Sequence, residues 1–278
     1  MRRRRTVRAA VLPACAAVVL AACGPAAPDG PGAGAAASAP AAGPASASSV
    51  PTVAPGEVVV LAAASLTEVM VELEERFEQA HPGTDVVLVL GPSSGLAQQV
   101  LAGSPGDLLV SAAAAPVQQL VDAGEVLGEP VDVAVNSPVL AVPAGNPGGV
   151  TGLADLAEDG LVVSLCEEQV PCGAVTAGLL EQAGVAARPD SLERDVRAVL
   201  TRLELGEADA GVVYATDVLA SGGTVEVVDV PGAEQVVTAY PAVVLAGTTD
   251  EARARAFLAL IEGPEGREVL AAAGFLLP

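Results

Sequence analysis

The sequence predicts an α/β protein in which mainly parallel β-sheets are covered by helices. Apolar β-branched runs, typical of buried strands, alternate with segments of helical periodicity from residue 57 onward. Such alternation favours parallel sheets, because the crossover between two parallel strands is usually a helix. The 278 residues, of which 51% are hydrophobic, are enough for one or two domains of this kind.

The first 56 residues are expected to lie outside this fold. Residues 1–22 combine an arginine-rich start with an apolar stretch too short to span a bilayer, which indicates a signal peptide. The run Leu-Ala-Ala-Cys at its end resembles the lipobox of bacterial lipoproteins, where cleavage leaves the cysteine, here Cys23, as a lipidated N-terminus. A plain cleavage site beside an incidental cysteine is the alternative. Residues 23–56 are almost wholly Ala, Pro, Gly and Ser, typical of a flexible tether.

The first corner between strand and helix lies at Ser65. An apolar strand at 58–61 leads through three alanines to this serine, and Glu68 stands three positions further on. Ser-x-x-Glu is the capping-box pattern, so we expect Ser65 to cap the first helix. A helix N-terminus flanked by small residues also offers free backbone N–H groups to an anion. A satisfied cap without any ligand is the alternative.

Further elements follow in order along the chain. Predicted strands lie at 85–90, 107–110, 131–135, 139–142, 161–165, 210–214 and 225–228. Predicted helices follow the turn at 91–95 and lie at 116–122, 173–182, 196–203, 250–261 and 264–273. The break Asn-Ser-Pro at 136–138 predicts a crossover into a second lobe, and Tyr-Pro at 240–241 predicts the return.

Two cysteines remain after the signal peptide and the lipid site are set aside, since Cys15 belongs to the first and Cys23 to the second. Cys166 and Cys172 are six positions apart, in a compartment expected to be oxidising. A disulfide between them is the favoured prediction, with free thiols or metal ligation as alternatives.

The charge of the chain excludes several kinds of partner. Removal of residues 1–22 leaves eight basic residues against 34 acidic ones, a formal charge of −26. Nucleic acid and anionic lipid surfaces are therefore not expected partners.

Enzymatic chemistry is also poorly supported. Gly91-Pro-Ser-Ser-Gly95 matches the nucleophile elbow of α/β-hydrolases, with Ser93 as nucleophile. That class needs a histidine after the serine, whereas the only histidine, His81, precedes it. The absence of lysine removes P-loop, Schiff-base and Ser-Lys chemistry, and one histidine argues against a transition-metal site. We expect a binding protein without a cofactor.

Several motifs together resemble one family. LAAASLTEVM, GPSSGLAQQVLAGSPGDLLVSA, VPCG, DVRAVL and GEADAGVVYATDV occur in the order expected of the molybdate-binding proteins of ABC importers. The resemblance implies a type II periplasmic-binding-protein fold with two lobes, each a mainly parallel sheet flanked by helices. Lobe 1 would hold 57–136 and 240–278, lobe 2 would hold 137–239, and the ligand would lie in the cleft between them.

The resemblance also implies the residues of the site. Ser65 and Ser93 match the two serines that bind the oxyanion from the first lobe. Cys172 and Val196 fall where backbone N–H groups bind it from the second lobe, and Tyr214 matches the tyrosine whose hydroxyl completes the site.

The four site residues other than Tyr214 all lie at predicted helix N-termini. Four such termini roughly balance a dianion, so no Arg or Lys need enter the site. Asp195 is expected to turn back and cap its own helix, away from the anion. A site of donors only suits an oxyanion that carries no proton at neutral pH. For Tyr214 a buried hydroxyl bonded to backbone is the alternative.

The function implied is an extracytoplasmic, lipid-anchored protein that captures molybdate, and tungstate with it, for an ABC importer. Its partners would be the membrane permease and ATPase subunits, with the lipid anchor as the membrane contact, and the protein itself a monomer. Molybdenum would enter only as the bound oxyanion. A receptor for sulfate or another small ligand on the same fold is the first alternative, and a secreted hydrolase using Ser93 is the second.

Overall fold

Residues 53–278 are described by the computed structural model, which contains two five-stranded sheets. The strands are β1 (Gly56–Ala63), β2 (Thr84–Gly91), β3 (Leu108–Val110), β4 (Val126–Asn136), β5 (Pro138–Pro143), β6 (Val163–Cys166), β7 (Ser191–Glu193), β8 (Ala210–Tyr214), β9 (Val225–Val228) and β10 (Thr238–Leu245). The first sheet has the order β2-β1-β3-β10-β4 and the second the order β7-β6-β8-β5-β9.

Each sheet contains a single reversed strand. In the first sheet β10 is antiparallel to both of its neighbours, and in the second sheet β5 is. The remaining pairs are parallel, so four strands of each sheet run in the same direction. The prediction of mainly parallel sheets is therefore confirmed for strand direction, while half of the pairings in each sheet are antiparallel.

Helices cover both faces of both sheets. They are α1 (Thr67–Ala80), α2 (Ser93–Leu101), α3 (Ala114–Ala123), α4 (Pro171–Ala183), α5 (Val196–Glu204), α6 (Ala215–Ala220), α7 (Glu251–Glu262) and α8 (Pro264–Ala272). Successive strand residues point to opposite faces. Val60 accordingly packs into the core formed with α1, α7 and α8, and Leu61 into the core formed with α2 and α3. Val212 and Val213 divide in the same way between two cores of the second sheet.

The chain crosses between the lobes at two places. The predicted crossover at 136–138 is confirmed, because β4 ends at Asn136 in the first sheet and β5 begins at Pro138 in the second. The return precedes β10, which starts at Thr238. Tyr240 and Pro241 therefore lie inside β10, where the pairing register with β4 shifts, and do not form the predicted return. The exact bounds of the two lobes stay a prediction.

The folded body begins before residue 57. Gly56 is the first residue of β1, and the Arg253 guanidinium donates to the carbonyl oxygens of Ala54 and Pro55 at 3.1 and 3.2 Å. The predicted signal peptide, Cys23 and most of the predicted tether lie outside the described residues. Within residues 53–278, no helix combines the length and apolar character that crossing a membrane requires.

Candidate functional site

A cavity of about 240 Å³, its open mouth included, lies where the starts of helices from both lobes meet. Each of these helices follows the carboxyl end of a strand, and ligands of α/β proteins bind at that edge. All five residues of the predicted site line the cavity. The complete lining is Ala63, Ala64, Ser65, Gly91, Pro92, Ser93, Ala112, Val170, Pro171, Cys172, Arg194, Asp195, Val196 and Tyr214.

Ser65 does not form the predicted capping box. It lies in a short 3-10 turn, Ala64–Leu66, and α1 begins only at Thr67 without any side-chain cap. The Ser65 hydroxyl lies 2.9 Å from the Tyr240 hydroxyl, a partner 175 positions away. Glu68 instead pairs with Arg197, across the two lobes. The serine is therefore held by a tertiary contact at the cavity wall, and the prediction that it caps the first helix is wrong.

Ser93 is the first residue of α2, as predicted, and is almost fully buried. Its Oγ accepts a hydrogen bond of 3.0 Å from the backbone N–H of Ala112. The residue before it, Pro92, has no side-chain acceptor, so the first N–H groups of α2 are left without a side-chain cap. Both the Ser93 hydroxyl proton and these N–H groups are available to a ligand.

Cys172 is the second residue of α4, one position inside the helix start at Pro171. The structure joins it to Cys166 in a disulfide, which closes the loop beside the cavity. Gly173 packs tightly under this loop, because a Cβ at position 173 would overlap the carbonyl oxygen of Glu167. Val170 before the helix offers no side-chain cap, so the Cys172 N–H is exposed to the cavity side of the helix start.

Val196 is the first residue of α5, and Asp195 is its N-cap. The Asp195 Oδ1 accepts from the Ala198 N–H at 3.0 Å, which confirms that this carboxylate turns back onto its own helix. The bond satisfies the third N–H of α5 and leaves that of Val196 for another acceptor.

Tyr214 supplies a polar atom that has no partner among the residues the structure describes. The residue is 2% exposed, and its hydroxyl makes no hydrogen bond there although it is buried. Its backbone N–H is already used, since it donates to the Asp217 carboxylate at 3.0 Å. Burial raises the pKa of Tyr214 well above its usual value, so the hydroxyl keeps its proton. A buried donor without an acceptor is costly unless a ligand supplies one.

Arg194 is a lining residue that the sequence did not reveal. It is exposed and stands directly before Asp195, so the cavity mouth carries one basic side chain. The sequence predicted no arginine in the site, and Arg194 was therefore not considered. Its position directly before the predicted helix cap Asp195 was the signal that could have identified it. Among the lining residues, its charge is opposed by that of Asp195.

The assembled groups suit the binding of an anion. Three hydroxyls and several free N–H groups face one small space, while the Asp195 carboxylate is engaged with α5. His81 lies at the far end of α1, about 20 Å along the helix from the site, and its Nδ1 lies 3.0 Å from the Phe77 carbonyl oxygen. Ser93 therefore has no histidine within reach, so the structure does not supply the partner that the hydrolase alternative requires. Between residues 53 and 278, acidic, Cys and His side chains form no cluster suited to a metal ion.

Known proteins resemble this chain in sequence and in fold. The molybdate-binding protein ModA of Mycobacterium tuberculosis is 37% identical over 235 residues, which cover 84% of this chain and 90% of that protein. Solved structures share the fold as well, including the two that follow. The periplasmic molybdate-binding protein of Azotobacter vinelandii has a TM-score of 0.67 at 23% identity, covering 80% of this chain and 99% of that one. The sulfate-binding protein SubI of Mycobacterium tuberculosis has a TM-score of 0.65 at 21% identity, covering 80% and 87%.

The matched region includes every residue that lines the cavity. A family model described as bacterial extracellular solute-binding protein matches residues 58–276, nearly the whole described body. The two-lobed fold and the cavity between helix starts are consistent with this match. The chain belongs to the family of bacterial extracellular solute-binding proteins.

Proposed function

We propose that this protein captures molybdate outside the cytoplasm and delivers it to an ABC importer. The observation that carries the proposal is the cavity lined by hydroxyls and free helix N–H groups, with the Asp195 carboxylate turned back onto α5 and the Tyr214 hydroxyl buried without a partner among residues 53–278. A tetrahedral dianion supplies the acceptors that these donors lack. Charge-assisted hydrogen bonds of this kind are about twice as strong as neutral ones.

The hydrogen-bond donors of the cavity favour an oxyanion without a proton, but they do not distinguish between oxyanions of that kind. Molybdate, tungstate and sulfate all lack a proton at neutral pH, whereas hydrogen phosphate has an O–H that needs an acceptor. The preference for molybdate, with tungstate beside it, rests on the relative at 37% identity, which is named as a molybdate-binding protein. A sulfate-binding protein also shares the fold, so sulfate is the anion to test against it.

The partners follow from the same proposal. A solute-binding protein of an ABC importer works with a membrane permease and an ATPase, and no resident cofactor is required. The signal-peptide pattern and the lipobox-like run ending at Cys23 support anchoring through lipid at the outer face of the cell membrane. A monomer is sufficient, because both lobes that line the cavity come from one chain.

A titration series with four anions tests the ligand. Calorimetry with molybdate, tungstate, sulfate and phosphate at one neutral pH should give much tighter binding for the first two than for phosphate. Salt should have little effect, because the contacts are buried. Tighter binding of sulfate than of molybdate would reassign the ligand, and phosphate binding as tight as molybdate would refute the donor-only site.

Ser93→Ala is expected to weaken molybdate binding about tenfold or more. The change removes one hydroxyl donor and the acceptor of the Ala112 N–H but keeps the backbone N–H at position 93, and a hydrogen bond to a charged group contributes about 1.5–3 kcal/mol. Val196→Ala is the matched control at the other lobe, since only its backbone N–H is proposed to bind. Calorimetric titration should therefore give nearly the parent affinity for Val196→Ala. Equal losses in the two variants would mean that the Ser93 hydroxyl does not contact the anion.

A further inference from the structure

A chain of buried polar side chains lies behind Ser65. Tyr240 is fully buried in β10, and its hydroxyl lies 2.9 Å from Ser65 Oγ and 3.4 Å from Asn136 Nδ2. Asn136 Nδ2 also donates to Thr216 Oγ1 at 2.8 Å. Tyr240 does not line the cavity, so any effect it has on a ligand must act through its neighbours there, which are Ser65 by a hydrogen bond and Tyr214 by a ring contact.

The direction of the hydrogen bonds in this chain is fixed at Asn136. Its Oδ1 accepts from the backbone N–H of Ser137 at 3.0 Å, and a backbone N–H can only donate. The amide NH₂ of Asn136 therefore faces Thr216 and Tyr240, and it too can only donate. The Tyr240 oxygen consequently accepts from Asn136, and its own proton must go elsewhere.

Ser65 Oγ is the acceptor left for the Tyr240 proton. In the reverse arrangement, Ser65 would donate to Tyr240, and the Tyr240 proton would have only the neighbouring Tyr214 hydroxyl to turn to, which forms no hydrogen bond among residues 53–278. A buried donor of that kind is strongly disfavoured. Because Ser65 Oγ accepts from behind, its proton is free to point into the cavity that the residue lines.

We propose that Tyr240 is a positioning residue that holds Ser65 as a hydrogen-bond donor, so that the site rejects oxyanions that carry a proton. The proposal rests on the oxyanion function proposed above and adds to it a source of specificity outside the binding residues. Ser93 is set in the same way, since its Oγ accepts from the Ala112 N–H. The donor to Ser93 is a backbone N–H, which no substitution removes. The donor to Ser65 is the Tyr240 side chain, which a substitution can remove.

Tyr240→Phe tests the proposal, because it removes the donor behind Ser65 and keeps the buried ring. Without that donor, the Ser65 hydroxyl can rotate and offer a lone pair to the O–H of hydrogen phosphate. Dissociation constants for molybdate, sulfate and phosphate would be measured by calorimetry on the same preparation. We expect the preference for molybdate over phosphate to fall about tenfold or more. Sulfate, which has the size of phosphate but no proton, should weaken together with molybdate.

Thr216→Val is the matched control. It removes another buried hydroxyl from the same chain of side chains, but at the accepting end, where the direction of the Tyr240 proton is unaffected. The ratio of the molybdate and phosphate constants should stay at the parent value. An equal fall in Thr216→Val and Tyr240→Phe would show a general loosening of the region and overturn the proposal.

Ser65→Ala gives a second test that does not depend on the folding of Tyr240→Phe. If Ser65 is a donor, its loss weakens molybdate and phosphate alike and leaves their ratio nearly unchanged. If phosphate loses more, Ser65 was an acceptor and the proposal is wrong. A parent protein that binds none of the three anions would refute the proposed function itself. Normal molybdate binding with an unchanged ratio in Tyr240→Phe would refute only the role of Tyr240.

Discussion

Tyr214→Phe is expected to weaken molybdate binding by about ten- to a hundredfold, the largest loss of affinity that a single hydroxyl in this site can cause. At Ser93 the backbone N–H remains as a donor when the hydroxyl is removed. At position 214 it cannot compensate, because the Tyr214 N–H already donates to Asp217. The hydroxyl is thus the whole polar contribution of this residue to a ligand.

The stability of the same variant separates binding from structure. In the absence of anion, the Tyr214 hydroxyl has no partner in the described part of the chain, so phenylalanine should melt at or above the parent temperature. Added molybdate should raise the melting temperature less than it does in the parent. Titration and thermal melts of the two proteins would be compared in a buffer free of oxyanions. Parent-like affinity in Tyr214→Phe would place the anion away from this hydroxyl.

The fold could be predicted from local patterns because its strands and helices are long and regular. Apolar runs and helical periodicity located most of the larger elements, and the break at 136–138 located the first crossover. Two of the elements that the sequence did not reveal are short, whereas the eight-residue β10 was taken for the return crossover because proline, rare inside strands, stands at position 241. β7 has three residues and α6 has six, too few for a period to develop. The reversed strand in each sheet was also hidden, since a run of apolar residues carries no direction.

The candidate site was predictable where it depends on helix starts and on the family resemblance. Ser93, Cys172 and Val196 lie within the first two positions of their helices, as the pattern of turn and periodic residues indicated. Ser65 was assigned a local partner, Glu68, because only local partners can be read from spacing. Its true partner is Tyr240, which comes from the last strand of the same lobe, and such a long-range contact requires the fold.

Asp217 is a buried carboxyl group that the sequence did not single out. It is 2% exposed, and burial raises its pKa from 3.8 to about 7. The Tyr214 N–H and the Arg197 guanidinium lower this pKa, while Asp195 raises it, and the cost of burial outweighs the favourable contacts. The carboxyl accepts a hydrogen bond at the start of α6, so its ionisation is coupled to the fold of the second lobe.

The pH dependence of stability should report this group. Between about pH 4 and pH 7 the folded protein keeps a proton on Asp217 that the unfolded chain has released, so the folded state is favoured by acid. That contribution is complete below the unfolded pKa and is lost as the pH rises to about 7, at about 1.4 kcal/mol per unit. From pH 5 to pH 8, the loss in the free energy of unfolding from this group is about 2–3 kcal/mol.

Asp217→Asn is expected to remove that loss, because the asparagine carbonyl oxygen still accepts the Tyr214 N–H and carries no charge to bury. Urea unfolding at about pH 5, 6, 7 and 8 in buffers free of oxyanions measures the slope. Asp190→Asn is the control, since Asp190 also accepts a backbone N–H, from Val163 at 2.8 Å, but is exposed. Asp190→Asn should show the same dependence of the free energy of unfolding on pH as the parent protein. A slope that persists in Asp217→Asn would mean that another group binds the proton, because this substitution leaves no carboxyl at position 217 to titrate.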